Sequence, residues 1–422
     1  MKKTSALILA GLLCIGSFTA CASSAPAPEQ ADTGVPKSKG KMVVAISEEQ
    51  KEFFGPAVGK YCKLHPETEI EIEIIPFIDN QPTEKMEKNR KTADDMQVQV
   101  LAGKGPDVFI LDKENRVFPD MIKSSYNGVF LDLNPVMDGF NGLPLNQTVL
   151  KAGEMDGKQY FVPLGYSLAG IAVADDMLGD WKPSSAQPDE FLKEVASHTK
   201  VENFYSKSFL KYYTSGLFGT PILDYEEKSI TFSKELQDLA KLAAEGPQYT
   251  LEDAPELPDV VNLGDSTSSG FEWMIQQSFA SGTDIKFLPF PNGAGGANAQ
   301  VNVFAAVRAN SAYAAQAGEF LAFLLSDEMQ SGSDAFHAIP VNNNAVVPAY
   351  QDRFTFGSEE YEKEAAKKAE ELFQITQQVT TARFCQYENS LLYKIVSMGT
   401  ENGSIEEKLE DLKNELRFYF DE

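Results

Sequence analysis

Hydrolysis is the first chemistry the residues suggest. Gly165-Tyr166-Ser167-Leu168-Ala169 nearly matches Gly-x-Ser-x-Gly, the pattern that lifts a nucleophilic serine onto a sharp strand-to-helix turn, with Ala where the last Gly belongs. A triad also needs a histidine as base, and the chain has three: His65, His198 and His337. His65 precedes a proline in a turn and His198 ends an amphipathic stretch. Only His337, just before Ile339-Pro340, stands in the right chain order after Ser167. A membrane-tethered extracellular hydrolase built on Ser167 and His337 is therefore one reading. The competing reading of the same segment is a run of small residues at a crossover between domains.

Metal and phosphate chemistry find less. There is no His-Glu-x-x-His, no Cys-x-x-Cys, no calcium loop of alternating Asp and Asn, and no Gly-x-x-x-x-Gly-Lys-Ser/Thr loop. No cofactor and no metal are expected. With 62 acidic residues, pairing two carboxylates into a glycosidase site is uninformative. Sugar binding is better served. Aromatic faces cover C–H patches, and planar polar side chains take hydroxyls. Trp273, in Gly270-Phe271-Glu272-Trp273 after the loop Asp265-Ser266-Thr267-Ser268-Ser269, is a candidate platform and equally a candidate core plug.

The elements that would position such residues alternate. Met42 to Ile46 is an apolar run of strand type, residues 48–64 read as a helix, and Thr68 to Ile75 alternates Glu with Ile as a half-exposed strand. Thr83 to Gly103 is helical, and Asp107 to Leu111 is a second buried strand. Strand, helix, strand, helix, strand describes a parallel α/β layer. Further on, Asp156 to Pro163 is a turn followed by a strand, and Asp189 to His198 and Ser233 to Glu245 are amphipathic helices. Phe287 to Pro291 is extended and Gly293 to Gly296 a loop. Ala312 to Leu325 is a helix with Ser311 as its N-cap, and Ser404 with Glu407 forms a capping box for a last helix reaching about Tyr419.

At 422 residues the chain is long enough for two or three domains. Its net charge of −25 repels phosphate backbones, so a nucleic-acid partner is excluded. Lys2, Lys3 and the uncharged stretch Ala6 to Thr19 read as a signal peptide over residues 1–20, too short to span a bilayer. Phe18-Thr19-Ala20-Cys21 resembles a bacterial lipobox, with Phe18 where Leu is usual, and makes Cys21 the lipidation site. Residues 21–41 then form the lipidated cysteine and a flexible linker of Ala, Pro, Ser, Gly and charge. That start places the folded part outside the cell, anchored to the membrane.

The order of segments resembles the extracellular solute-binding proteins of bacterial ABC importers, the family that includes maltose-binding protein. The resemblance rests on MVVAIS at 42–47 and EIEIEII at 69–75, on Gly105-Pro106-Asp107-Val108 ending at Asp112, and on GVFLDL at 128–133. It continues through Asp156 to Pro163, Leu288-Pro289-Phe290-Pro291, AGEFLAFLL at 317–325, Ile339-Pro340-Val341-Asn342 and Ser404 to Glu422. Val173-Ala174-Asp175-Asp176 departs from the family's Tyr-Asn-Lys-Asp stretch, and no Gly-Lys-x-Ala-Met strand precedes Gly270.

The resemblance implies an α/β, two-lobed periplasmic-binding-protein-like fold of type II, with hinged lobes around a central cleft. Lobe 1 would be residues 42–165 plus 287–339, and lobe 2 residues 166–286 plus 340–422, with crossings near Pro163 to Tyr166, Lys286 and Ile339. Carried over by position, the contacts to solute are Ser47, Glu48 and Glu49 after the first strand, Asp112, Tyr166 at the first crossing, Phe271 and Trp273, and Tyr387 and Glu388. The implied partners are a small-molecule solute, most readily a sugar or oligosaccharide, and the transmembrane permease subunits. The implied state is a monomer that catalyses nothing. A receptor for another small polar solute is the alternative within the class. Cys62 and Cys385 fall on different lobes in this reading and are expected to be free thiols.

Overall fold

The computed structural model describes residues 40–78, 81–113, 115–199, 221–246, 260–263, 269–332, 338–352, 358–384, 386–399 and 403–420. The segment expected to be a leader at 1–20, Cys21, the expected spacer as far as residue 39, His337 and Cys385 lie outside them. Strands are β1 (Lys41–Ser47), β2 (Glu69–Ile75), β3 (Val108–Asp112), β4 (Glu154–Met155), β5 (Lys158–Gln159), β6 (Phe161–Ala174), β7 (Leu223–Asp224) and β8 (Ser229–Ile230). They continue as β9 (Val260–Leu263), β10 (Ile285–Pro289), β11 (Ala297–Val307), β12 (Ile339–Pro340) and β13 (Val379–Arg383).

The N-terminal layer forms as its periodicity requires. β1 lies between β2 and β3, parallel to both, and the helices Lys51–Leu64 and Thr83–Leu101 make the crossovers. β3 is buried along its length, apolar from Val108 to Leu111 and ending in Asp112, because neighbours on both sides and layers on both faces enclose it. β2 sits at the sheet edge, which is why Ile72 is exposed despite the Glu/Ile alternation. The full order is β10-β6-β11-β3-β1-β2, with β6 and β11 antiparallel at its centre.

Buried apolar residues form two packing groups. The first holds β1, β3, β11, the start of β6, and the helices Lys51–Leu64 and Ala314–Leu324. The second holds the helices Pro188–Thr199, Lys234–Glu245, Gln386–Gly399 and Ile405–Leu416, through residues such as Leu192, Leu239, Leu392 and Leu412. β6 serves both. Leu168 and Ala172 pack in the first group, and Ala169, Ile171 and Val173 in the second, so its period-two alternation feeds one core from each face. Gly170 has no substitute there: a Cβ would meet the Leu288 carbonyl at 2.4 Å and the Phe287 ring at 2.6 Å. The groups do not follow the expected lobe segments throughout. Phe271, Met274 and Ile275, and the stretch from Val341 to Phe384, bury with the first group.

Two local expectations are corrected. Ser311 does not cap the helix Ala314–Leu324; its hydroxyl donates to Asp107 Oδ1 at 2.8 Å and accepts from Tyr313 N at 3.1 Å, so Tyr313 occupies the N-cap without a side-chain bond. The last helix ends at Leu416, not near Tyr419, and residues 417–420 form a turn. Among the described residues, no helix is long and apolar enough to cross a membrane.

One charged hub braces the sheet. Lys368, with a side chain only 1% exposed, donates to Asp284 Oδ1 at 2.5 Å, Glu371 Oε2 at 2.8 Å and the Ile285 carbonyl at 2.6 Å. Asp284 also meets Lys286 at 2.6 Å and Lys367 at 2.8 Å. This ties the start of β10 to the helix Glu359–Thr376.

Candidate functional site

The strand registers mark a gap. β3, antiparallel to β11, ends with Asp112 opposite Val303; β13, parallel to β11, ends with Arg383 opposite Gln300. The two carboxyl ends therefore point at one another along β11, with Val301 and Asn302 between them. At about 3.4 Å per residue the separation along the strand is about 10 Å. Crevices at the carboxyl ends of strands are where open α/β sheets bind ligands.

On the β3 side, Ser47, Glu48, Glu49, Asp112, Asn115 and Arg116 surround a pocket of about 20 Å³, roughly the room for one water. Glu48 Oε2 accepts from Phe77 N at 2.8 Å. The Asp112 carbonyl accepts from Asn115 N at 3.2 Å, and Asn115 Oδ1 accepts from Phe118 N at 3.1 Å, which fixes the turn that leaves β3. The Ser47 hydroxyl is buried here without a hydrogen-bond partner.

On the β13 side lies a cavity of about 570 Å³, within the range of small-molecule sites. One wall is Ile122, Tyr126 and the hairpin of β4 and β5; the other is Ile222 to Glu226 with Arg383, Phe384 and Glu388. The hairpin turn Asp156-Gly157 has positive φ at both residues, 51° and 72°, the geometry of a type I′ turn, for which Asp-Gly is well suited. Arg383 Nη2 donates to Glu388 Oε2 at 2.7 Å, with both side chains nearly sealed. Glu388 Oε1 accepts from Ile222 N at 2.9 Å and Leu223 N at 2.7 Å.

Tyr126 and Tyr225 stack at 5.8 Å and 11° beside the cavity. Burial, with the carboxylates Asp156, Glu226 and Asp224 around it, pushes the Tyr126 phenol up to about 12. The Asp156 charge and hydrogen bond push the Glu226 carboxyl up as well. Behind this wall, Asp120 Oδ2 accepts from the Tyr225 hydroxyl at 2.7 Å and from the Tyr419 hydroxyl, while its Oδ1 accepts from Lys123 N at 2.9 Å. Lys123 Nζ donates to the Tyr419 carbonyl at 2.5 Å and sits 4.4 Å over the Tyr419 ring. The Asp120 carboxyl is pushed up by burial, against the pull of these hydrogen bonds.

The residues singled out in the sequence divide. Glu48, Glu49 and Asp112 come together at the small pocket, and Glu388 lines the large cavity. Tyr387 is half-buried and stacked on Tyr419 at 4.5 Å. Tyr166 is fully buried in β6, its hydroxyl has no hydrogen-bond partner among the described residues, and burial pushes the phenol up. Phe271 is buried with its ring edge-on to Tyr350 at 4.7 Å. Trp273 is half-buried against the first packing group, in the helix Ser269–Ser281. Arg383, Tyr126, Tyr225 and Asp156 were missed. The Asp156-Gly157 turn and the run Val379–Arg383, which leads into Tyr387 and Glu388, were the signals available for two of them.

Ser167 is not on an elbow. It lies inside β6, buried, with its hydroxyl donating to Asn302 Oδ1 at 3.2 Å. His198 Nε2 is within 3.1 Å of the Met177 carbonyl, and His65 lies 3.5 Å from Glu67. Cys62 is a free, half-buried thiol on the helix Lys51–Leu64. Among the described residues, no group of three or more His, Cys, Asp or Glu could hold a metal ion.

Solved structures share the architecture. A family 1 extracellular solute-binding protein from Alicyclobacillus acidocaldarius is 15% identical over 92% of this chain and 100% of its own, with a TM-score of 0.56. The cyclic alpha-maltosyl-1,6-maltose binding protein of Arthrobacter globiformis is 16% identical over 90% and 99%, also at 0.56. A periplasmic oligogalacturonide binding protein from Yersinia enterocolitica is 14% identical over 90% and 99%, at 0.54. These neighbours are binding proteins with a two-lobed periplasmic-binding-protein fold, and at such identities they establish the fold of this chain. No curated protein matches the chain. Residues 45–331 match the model of the bacterial extracellular solute-binding proteins, from β1 through the crossing strand to the helix Asp327–Gln330. The chain belongs to that family of bacterial extracellular solute-binding proteins.

Proposed function

We propose that this protein captures a sugar or oligosaccharide in the crevice between the facing ends of β3 and β13 and delivers it to an ABC permease. Its folded part would be held outside the cell by a lipid on Cys21. The observation that carries the reading is the 570 Å³ cavity, whose walls come from both packing groups and combine stacked tyrosines with planar acids and Arg383. Aromatic faces suit pyranose C–H surfaces, and carboxylates accept from hydroxyls. Solved neighbours with this fold, named for maltosyl and oligogalacturonide ligands, support the solute class. Two lobes hinging about β6, β10 and β12 would close over the solute, and Glu48, Glu49 and Asp112 would face it from the first lobe. Tyr166 and Phe271 would then support the site from beneath. The protein performs no catalysis in this reading: Ser167 is tied to Asn302 inside a strand.

The test is a thermal-shift screen of residues 22–422, unfolded and refolded to strip carried-over solute, against saccharides, amino acids and polyamines. Ligand at a hundred times its dissociation constant adds about 2.7 kcal/mol, which moves the melting temperature of a protein this size by roughly 5–10 °C. A shift with saccharides alone supports the proposal. A shift confined to amino acids or polyamines keeps the family and removes the sugar.

A further inference from the structure

We infer that the cavity selects for saccharides without negative charge, so that neutral and amino sugars enter while uronates and sugar phosphates are refused. This rests on the saccharide reading of the same cavity. Recognition of an anion away from bulk water requires an available guanidinium, ammonium or set of backbone N–H groups. The wall contains such groups and they are occupied. Arg383 is the guanidinium of the cavity, and Glu388 holds it at 2.7 Å with both side chains under a tenth exposed. The other oxygen of Glu388 takes the backbone donors of Ile222 and Leu223. One buried carboxylate thus occupies the guanidinium and two amides of this wall.

The rest of the lining is weighted toward acid. Glu154, Asp156, Asp224 and Glu226 face a single further cation, Lys151. They come from opposite walls, since the β4–β5 hairpin carries the first pair and the β7–β8 turn the second. Asp156 is close enough to Glu226 for its charge and hydrogen bond to push the Glu226 carboxyl up. A carboxylate or phosphate entering beside this pair, with Glu154 and Asp224 also in the lining, adds further negative charge, and the guanidinium is already held by Glu388. An ammonium group relieves the repulsion, and a hydroxyl donates to either acid. The chain's overall charge does not decide this, because fields within clefts can oppose the global sign; the local inventory does.

The test uses matched disaccharides on the intact refolded protein by thermal shift and titration calorimetry at low and moderate salt. Galactobiose is set against digalacturonate, and cellobiose against glucosamine disaccharide and cellobiose phosphate. The expected result is that each anionic member binds at least tenfold more weakly than its neutral partner. In the double variant Asp156→Asn/Glu226→Gln that ratio narrows at least threefold, and the narrowing fades as salt is added. Binding of digalacturonate or the phosphate equal to or tighter than the neutral partner overturns the charge selection and leaves the saccharide reading standing. No shift with any saccharide, charged or not, removes both. The comparison on the unmodified protein is decisive even if the double variant does not fold.

Discussion

Glu388 lines the large cavity, yet its oxygens are bonded to Arg383 and two backbone amides, and this makes its removal informative. The side chain is 3% exposed and accepts from Arg383 Nη2, Ile222 N and Leu223 N at 2.7, 2.9 and 2.7 Å. Glu388→Ala leaves a buried guanidinium without its carboxylate and two amides without acceptors. Breaking a buried pair by removing one partner costs about 3–5 kcal/mol, and each orphaned amide adds about 1 kcal/mol or more. A loss of about 5–7 kcal/mol is expected, a large share of the 5–15 kcal/mol typical of a folded domain. Glu388→Gln keeps an oxygen for the two amides but puts an NH2 donor against Arg383 Nη2 in place of Oε2, so it loses the charge and that one hydrogen bond and should cost about 2–3 kcal/mol. Arg383→Met combined with Glu388→Gln removes the guanidinium that the carboxylate neutralised and should recover part of that loss. Urea denaturation followed by far-UV circular dichroism measures all three. Equal losses below 1 kcal/mol for Ala and Gln would show that the carboxylate is solvated and does not brace the wall.

Two further outcomes follow from charge placement. Asp284→Asn should destabilise by about 3 kcal/mol, because it leaves Lys368 buried with less negative charge, whereas Lys368→Met should cost about 1 kcal/mol or less, because Lys286 and Lys367 still neutralise Asp284. Burial alone would raise the Asp284 carboxyl, but the three lysines hold it far below the usual carboxylate range. Its stabilisation is therefore complete above about pH 4 and is lost as pH falls below that; acid unfolding that is identical in wild type and Asp284→Asn would contradict this. At Asp120, Tyr225→Phe and Tyr419→Phe each leave one hydroxyl on Oδ2, so each alone should cost under about 1 kcal/mol while the pair costs about 2–3 kcal/mol. A double-mutant cycle that is additive would show that the two hydroxyls do not share the carboxylate.

The sequence carried the architecture well and the site only in part. Strand and helix periodicity located β1, β2, β3 and their crossover helices because each has one consistent environment. The Glu/Ile alternation of 69–75 was legible as a strand, but Ile72 at the sheet edge could not be, since edge position depends on the whole strand order. Glu48, Glu49 and Asp112 gather because strand ends in a parallel layer must share one rim. Arg383 and Tyr126 are 257 positions apart. No local pattern joins them; the register of β13 on β11 and the packing of the helix Met121–Tyr126 do. Ser311 was read as a cap on residue type alone, but its hydroxyl was claimed by Asp107 from a distant strand end.

The segment that first suggested a hydrolase has a different physical origin. Small residues at 165, 167, 169 and 170 look like a nucleophile elbow because both features demand close backbone approach. An elbow needs it at one sharp turn. Here β6 stays extended for 14 residues and needs it on both edges at once. β11 and β12 pair with it at Gly165 and Tyr166, then β9 and β10 pair at Gly170 and Ile171. At Gly170 the neighbouring strand leaves no room for even a methyl group. Ser167 falls between these two sets of partners, where the strand exchanges neighbours, and its hydroxyl holds Asn302. Asn302 is one of the two residues that separate the ends of β3 and β13. The serine that resembled a nucleophile is thus a spacer in the crossing strand, bonded to the floor of the gap in which the solute is proposed to sit.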